Sequence, residues 1–264
     1  MKIYHEAPNS IFDFVQELTD GDYALVHMLE KSEEYRHNFF EAKRKGREII
    51  LDNSAFELGE SFDMSLFVDW IYRLRPTYYV IPDKLRDAEA TIGMMDDFLK
   101  TWPAIEAGTG SKSIGVVQGT TYMECVWCYE QLAPRCDVIA FNKSYGDPHD
   151  TLEERSKVRP EYISKMLEDG IIDTNKPHHI LGAIFPQEMR LYTEDKYKFI
   201  QSVDTCNPVV CGLLGVTYHE NGLDVALRDQ PKIDDWVGTR MALHWWPTIR
   251  YNIMMFRRLC NDVE

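Results

Sequence analysis

Asp52, Asp83, Gln118, Asn142 and Asp204 share one feature: each closes a short apolar run, after Ile49-Ile-Leu, Val80-Ile-Pro, Gly115-Val-Val, Ile139-Ala-Phe and Ser202-Val respectively. A carboxylate at such a place is costly to bury unless it is hydrogen-bonded or used. Carboxylates supply nucleophiles and general acids or bases, and amides read polar edges, so this set suits chemistry on a flat, hydrogen-bonding ligand. Local readings compete. Asp52-Asn53-Ser54 is also the composition of an Asx-type turn that caps a helix. Asp83 before Lys84 is also a turn with a surface ion pair. Gln118 lies between Gly115 and Gly119, which implies a close approach of backbone to another object, often a ligand.

These residues need elements to carry them. Runs rich in Val, Ile, Tyr and Phe predict strands at 2–5, 23–29, 48–51, 78–81, 114–117, 137–141, 179–183 and 200–203. Amphipathic stretches predict helices at 11–18, 35–45, 64–74, 87–99, 122–132, 161–167 and 193–198. This alternation is that of parallel strands joined by crossover helices, and it fits an open doubly wound sheet as well as a barrel. Polar residues at so many strand ends favour an α/β fold of the (β/α)8 TIM-barrel type, in which those ends converge on one mouth. The Trp-rich segment 236–258, with Trp245, Trp246, Met241 and Pro247, is expected to form one or two helices that close the barrel.

Length and composition set the frame. The 264 residues are 44% hydrophobic, and no Pro/Gly/Ser-rich linker divides them, so a single domain over 1–264 is expected. No run approaches eighteen apolar residues, and Met1-Lys2-Ile3-Tyr4-His5-Glu6 lacks a signal-peptide profile; a cytoplasmic protein without membrane contact is expected. The net charge of −14 argues against an indiscriminate nucleic-acid binder without excluding a local basic track. Cys125 and Cys128 have metal or redox spacing, but they sit in a helical pattern and read as buried thiols. His149, His178, His179, His219 and His244 show no paired-ligand spacing.

Five segments, in order, resemble the tRNA-guanine (queuine) transglycosylases and their DNA-acting relatives that insert 7-deazaguanines. Asp52-Asn-Ser-Ala-Phe56 is similar to the family's Asp-Ser-Gly-Gly-Phe/Tyr element, and Val80-Ile-Pro-Asp83 to its next strand. Gly115-Val-Val-Gln-Gly119 is similar to its Gly-Ile-Val-Gln-Gly element, His179-Ile-Leu-Gly182 to its Leu-Met-Gly strand, and Asp204-Thr-Cys-Asn-Pro208 to its Asp-Cys-Val-Leu-Pro element. The resemblance spans roughly residues 48–210. It implies a transglycosylase that exchanges guanine in DNA or tRNA for a 7-deazaguanine base through a covalent aspartyl-ribosyl intermediate. Asp204 would be the nucleophile and Asp52 the acid/base. Asp83 and Gln118, with Gly119, would read the purine edge, and Phe56 would stack on the ring. Ala140, Phe141, Asn142, Lys143 and Gly182 would complete the substrate site. A register slipped by three would instead put Asn207, which cannot form the ester, in the nucleophile's place.

The chain departs from the family where its zinc site should be. Only Cys206, Cys211 and Cys260 occur from the nucleophile segment onward, without clustering, so neither zinc nor another cofactor is expected, and the zinc-bearing subdomain is expected to be absent. That places the chain closer in character to the DNA-acting relatives. Candidate phosphate contacts are Lys43-Arg44-Lys45-Gly46-Arg47, Arg155 with Lys157 and Arg159, Arg250 with Arg257 and Arg258, and Lys143. The loop from Tyr145 to His149 is expected to cover the pocket. Two other readings stay open: an N-glycoside hydrolase or ribosyltransferase on a free nucleoside or nucleotide, and a non-catalytic subunit that binds purine or nucleic acid. A homodimer is also open.

Overall fold

Eight short strands follow the expected runs: Lys2–His5 (β1), Gly21–Leu25 (β2), Glu48–Asp52 (β3), Tyr78–Val80 (β4), Lys112–Val117 (β5), Val138–Phe141 (β6), His178–Ile180 (β7) and Ile200–Asp204 (β8). The computed structural model describes residues 1–147, 150–223, 233–240 and 243–261, without the side chains of Leu152, Glu153, Arg155, Asp234 and Asp235. Every strand is parallel to its neighbours, in chain order, and β8 pairs back onto β1 through Lys2↔Ser202, Ile3↔Val203 and Tyr4↔Asp204. The fold is therefore a closed (β/α)8 TIM barrel. The helices are Phe12–Gln16 (α1), Val26–Lys31 (α2), Glu33–Arg44 (α3), Ala55–Leu58 (α4), Met64–Leu74 (α5), Ala88–Thr101 (α6), Ile105–Thr109 (α7), Tyr122–Leu132 (α8), Leu152–Glu168 (α9), Asn207–Leu213 (α10) and Trp246–Asn261 (α11).

Strand period sorts the side chains into two layers. Tyr4, Tyr23, Leu25, Ile50, Val80, Ile114, Val116, Val138 and Ala140 pack together inside the barrel. Their chain neighbours Ile3, Ala24, Ile49, Leu51, Tyr79, Val117, Ile139 and Phe141 pack outward against the helices. The same alternation fixes the side chains at the strand ends: Glu6, Asp52, Gln118 and Asn142 stand two residues beyond Tyr4, Ile50, Val116 and Ala140 and share their inward phase.

Local sequence explains where helices begin. Asp63 accepts from Leu66 N at the start of α5, whose buried Phe67, Val68, Trp70, Ile71 and Leu74 form one stripe. Thr121 and Glu124 form a capping box on α8, and Thr151 and Glu154 do so on α9. The second box starts α9 nine residues earlier than the apolar pattern implies.

Other boundaries also differ from expectation. β2 ends at Leu25, whose N–H donates to the Tyr35 hydroxyl, and Val26, His27 and Leu29 bury one face of α2. Segment 193–198 is not an α-helix; it follows the 3-10 turn Pro186–Tyr192 and holds one other, Asp195–Tyr197, because Asp195, Lys196 and Lys198 leave no apolar stripe. Closure comes from the β1–β8 pairing, not from the C-terminal helices. α11, with Pro247 in its first turn, packs outside on α10, where a Cβ on Gly212 would stand 2.5 Å from Ile249 Cγ1. Met241 lies outside the described residues. Cys125 and Cys128 are buried in the core, and burial pushes both thiols up to about 12. Among the described residues no helix is long and apolar enough to cross a membrane.

Candidate active site

At the C-terminal ends of the strands lies a cavity of about 120 Å³ lined by Asp52, Asp83 and Asp204, and by Phe56, Asn142, Lys143 and Gly182. This is below the roughly 300 Å³ at which pockets for drug-sized ligands begin, a scale that suits a single ring system. A larger cavity, about 660 Å³, opens at the opposite end of the barrel, where its Asp20 is held by Arg257. Strand-end carboxylates converge only on the first.

Asp204 ends β8 and is 3% exposed. Its Oδ1 accepts from His179 Nε2 at 2.8 Å and from Gly182 N at 3.0 Å. The other His179 nitrogen, Nδ1, lies 2.7 Å from Ser202 Oγ, so the ring is held at both ends. Oδ2 has no hydrogen-bond partner among the described residues. One oxygen is thus fixed and the other is available in the cavity, which is the arrangement a carboxylate nucleophile needs. Gly182 reaches its position with φ +66, and a Cβ there would meet Lys143 Cδ at 3.0 Å. Asn207 does not line the cavity. It opens α10, with Nδ2 donating to Ile184 O and Oδ1 accepting from Tyr218, so the slipped register has no geometric counterpart.

Asp52 forms the turn that its local sequence implies, and it also lines the cavity. Ser54 N donates to Oδ2 at 2.8 Å in an Asx turn, with Ser54 at φ 61, while Tyr23 OH donates to Oδ1 at 2.9 Å from inside the barrel. Burial, with the Glu57 charge added, holds its carboxyl well above the usual carboxylate range. Asp83 does not pair with Lys84. Asn53 Nδ2 donates to its Oδ1 and Gln118 Nε2 to its Oδ2, and burial outweighs these two bonds, pushing the carboxyl up to about 6.

Several expected contacts fall elsewhere. Gln118 is fully buried and does not line the cavity. Its Oε1 accepts from Arg86 N and Asn142 Nδ2 while Nε2 donates to Asp83, so its bonds go to the residues that it orients, Asp83 and Asn142 among them. Gly119, at φ +148, and Gly115 make close approaches to the chain's own packing. A Cβ on Gly119 would stand 2.9 Å from Glu124 Cβ, and one on Gly115 2.6 Å from Cys136 Sγ. Ala140 lies deeper in the barrel. Phe141 points outward and stacks on Tyr129 and His178, and its carbonyl accepts from Leu181 N and Arg159 Nη1. Phe56, 44% exposed, carries the Lys143 ammonium 3.5 Å from its ring centroid.

The basic clusters are also redistributed. Arg44, Lys45 and Arg47 pair with Glu41, Asp13 and Asp22 at the end of α3, on the side of the barrel away from the mouth. Arg159 is 1% exposed and forms a two-bond ion pair with Glu188 while it donates to the carbonyls of Phe141 and Leu181. Arg257 binds Asp20, and Arg250 and Arg258 are exposed on α11. Tyr145 does not cover the pocket: it is buried, donates to Val117 O and accepts from Asn142 N, and Arg86 holds the carbonyls of Ser144 and Gly146. Pro148, His149 and the Arg155 side chain lie outside the described residues.

Sequence reasoning missed Glu6 and Glu57, which both line the cavity, and the buttress role of His179. Glu6 was findable, since it follows β1 in the way Asp52 ends β3. Glu57 belongs to the single turn α4, too short to carry a periodic signal. Among the described residues no three His, Cys, Asp or Glu side chains are grouped to hold a metal ion.

No protein-family model and no curated protein matches the chain. Among solved structures, a mandelate racemase/muconate lactonizing enzyme from Roseiflexus sp. aligns with a TM-score of 0.49 and 10% identity, over 79% of this chain; the alignment spans 55% of the length of that structure.

Proposed function

We propose that the chain is an enzyme, a transglycosylase that exchanges guanine in nucleic acid, DNA or tRNA, for a 7-deazaguanine base. The observation that carries this reading is Asp204, pinned through one oxygen by His179 and Gly182 and unpartnered at the other, in the same small cavity as Asp52 and Asp83. In the first step Asp204 Oδ2 bonds to the anomeric carbon as the glycosidic C–N bond breaks, its electron pair leaves with the base, and Asp52 delivers a proton to the departing guanine. In the second, Asp52 takes a proton from the incoming base, whose nitrogen attacks the same carbon and releases the Asp204 carboxylate. An Asp52 carboxyl held above its ordinary range fits the acid half of that cycle. Asp83 and Asn142 supply acceptors and an amide for the purine edge. The test is exchange of labelled guanine into DNA, tRNA and free guanosine, with trapping of a denaturation-resistant adduct.

Asp83 sets a pH dependence. Its ionised form accepts N–H bonds, and protonation converts one acceptor into a donor. With the carboxyl at about 6, guanine affinity is expected to be flat above that pH and to fall up to about tenfold per pH unit below it. Calorimetry between pH 4.5 and 8 measures this, and Asp83→Ala should lose the dependence; a wild-type affinity that ignores pH removes Asp83 from base recognition.

A second reading, action on a free nucleoside or nucleotide by hydrolysis or ribosyl transfer, is favoured by the pairing of the 43–47 cluster far from the mouth. Salt separates the two. Contacts to several phosphates should weaken polymer binding by about 10³-fold or more between 50 and 200 mM salt. A flat response, with exchange on guanosine intact, selects the monomeric substrate.

A further inference from the structure

The inward phase that places Asp52 and Asn142 also places Glu6, and its surroundings differ from theirs. Each of those two side chains is held by neighbours on adjoining strands or in its own turn, whereas Glu6 lines the cavity with no hydrogen-bond partner among the described residues. It is half-buried, two residues beyond Tyr4, which is the register partner of Asp204. The barrel order therefore divides the mouth. Strands β3 to β6 present Asp52, Asp83 and Asn142, the groups suited to a heterocycle, while β8 and β1 present Asp204 and Glu6 side by side. If Asp204 attacks the anomeric carbon, the sugar lies against Asp204, within reach of the cavity group on the strand paired with it, which is Glu6.

We propose that Glu6 binds the pentose of the nucleotide, through a hydrogen bond to a sugar oxygen, and so fixes the anomeric carbon over Asp204. The assignment rests on the transglycosylase reading and extends it to the half of the substrate that Asp83 and Asn142 do not reach. Burial and the nearby carboxyls of Glu57, Asp204 and Asp52 hold the Glu6 carboxyl well above its ordinary range, against the opposing charge of Lys143. A neutral carboxyl both donates and accepts, which suits a pentose oxygen in a cavity already crowded with acids.

Binding of guanosine and of free guanine, measured by calorimetry on the full chain, tests this without requiring turnover. Glu6→Ala is expected to weaken guanosine roughly tenfold, the size of one buried hydrogen bond, and to leave guanine unchanged. Glu6→Gln, which keeps a donor and an acceptor, should restore most of the guanosine affinity. Equal losses for both ligands, no loss for either, or a Glu6→Gln as weak as Glu6→Ala would each overturn the assignment. A wild-type chain that binds neither ligand overturns the purine reading itself, and Glu6 with it; a wild-type chain that binds both, with variants that fail the pattern, overturns the role of Glu6 alone.

Discussion

Asp204→Asn should abolish the covalent adduct and lower base exchange by roughly four to six orders of magnitude, the loss seen when a nucleophile is removed from a site that otherwise stays intact. Asparagine is the informative replacement because it keeps an oxygen for both donors. His179 Nε2 and Gly182 N each give their hydrogen to Oδ1, and the oxygen of an asparagine amide can accept both in the same place. The fold and guanine binding are therefore expected to survive. Alanine would strand two buried donors, each at about 1–3 kcal/mol, and would confound chemistry with stability. Mass spectrometry of denatured mixtures decides the matter: an adduct that persists in Asp204→Asn removes Asp204 from the nucleophile's role. A chain whose wild type binds guanine but forms no adduct with DNA, tRNA or guanosine would be a binding subunit, and Asp204→Asn would then change nothing measurable.

The second large effect concerns stability. Arg159→Met should cost about 3–5 kcal/mol, because it leaves Glu188 buried and charged without its partner. For a chain of this length that lowers the thermal midpoint by roughly 10 °C. The loss is not confined to the pair. Arg159 also donates to the carbonyls of Phe141 and Leu181, at the ends of β6 and β7, and so braces the backbone that presents Asn142 and Gly182 to the cavity. Exchange should slow even at temperatures where the variant is folded. The double variant Arg159→Met with Glu188→Leu should recover much of the midpoint, since an apolar pair of similar volume replaces a buried ion pair at little cost. Calorimetric melts of the three variants check this; a double variant less stable than Arg159→Met alone would show that the pair is not the source of the loss.

Arg159 also marks the limit of what the sequence discloses. In the chain it stands with Arg155 and Lys157, and a run of basic residues on a polar helix carries the same composition whether it faces water, phosphate or the protein's own interior. Only the position of Glu188, 29 residues away, makes it internal. The strand ends were legible for the opposite reason: an apolar run that stops at Asp or Asn is a local signal, and the closed barrel turns it into a shared location. Residues Met64–Leu74 and Tyr122–Leu132 were legible to the residue, because a cap and a buried stripe coincide. Gln118 shows where phase is insufficient. It shares the inward phase of Asp52 and Asn142, yet it does not line the cavity and is bonded to Asp83, Arg86 and Asn142 instead. Those partners come from beyond other strand ends, at residues 83, 86 and 142, and no single strand encodes them. The glycines beside it were read as making room for a ligand; they make room for Glu124 and Cys136.

The pairing of β1 with β8 joins segments 200 residues apart, Tyr4 to Asp204. Seven of the eight inter-strand seams link consecutive strands and can form as the chain collapses, but the eighth brings together the two extremes of the sheet and carries the highest loop-closure entropy. Asp204, the proposed nucleophile, and Glu6 lie on either side of that last seam. Under the proposed reading, the base-facing groups Asp52, Asp83 and Asn142 come from consecutive stretches of chain, whereas the sugar side is complete only across the seam that spans the whole sheet.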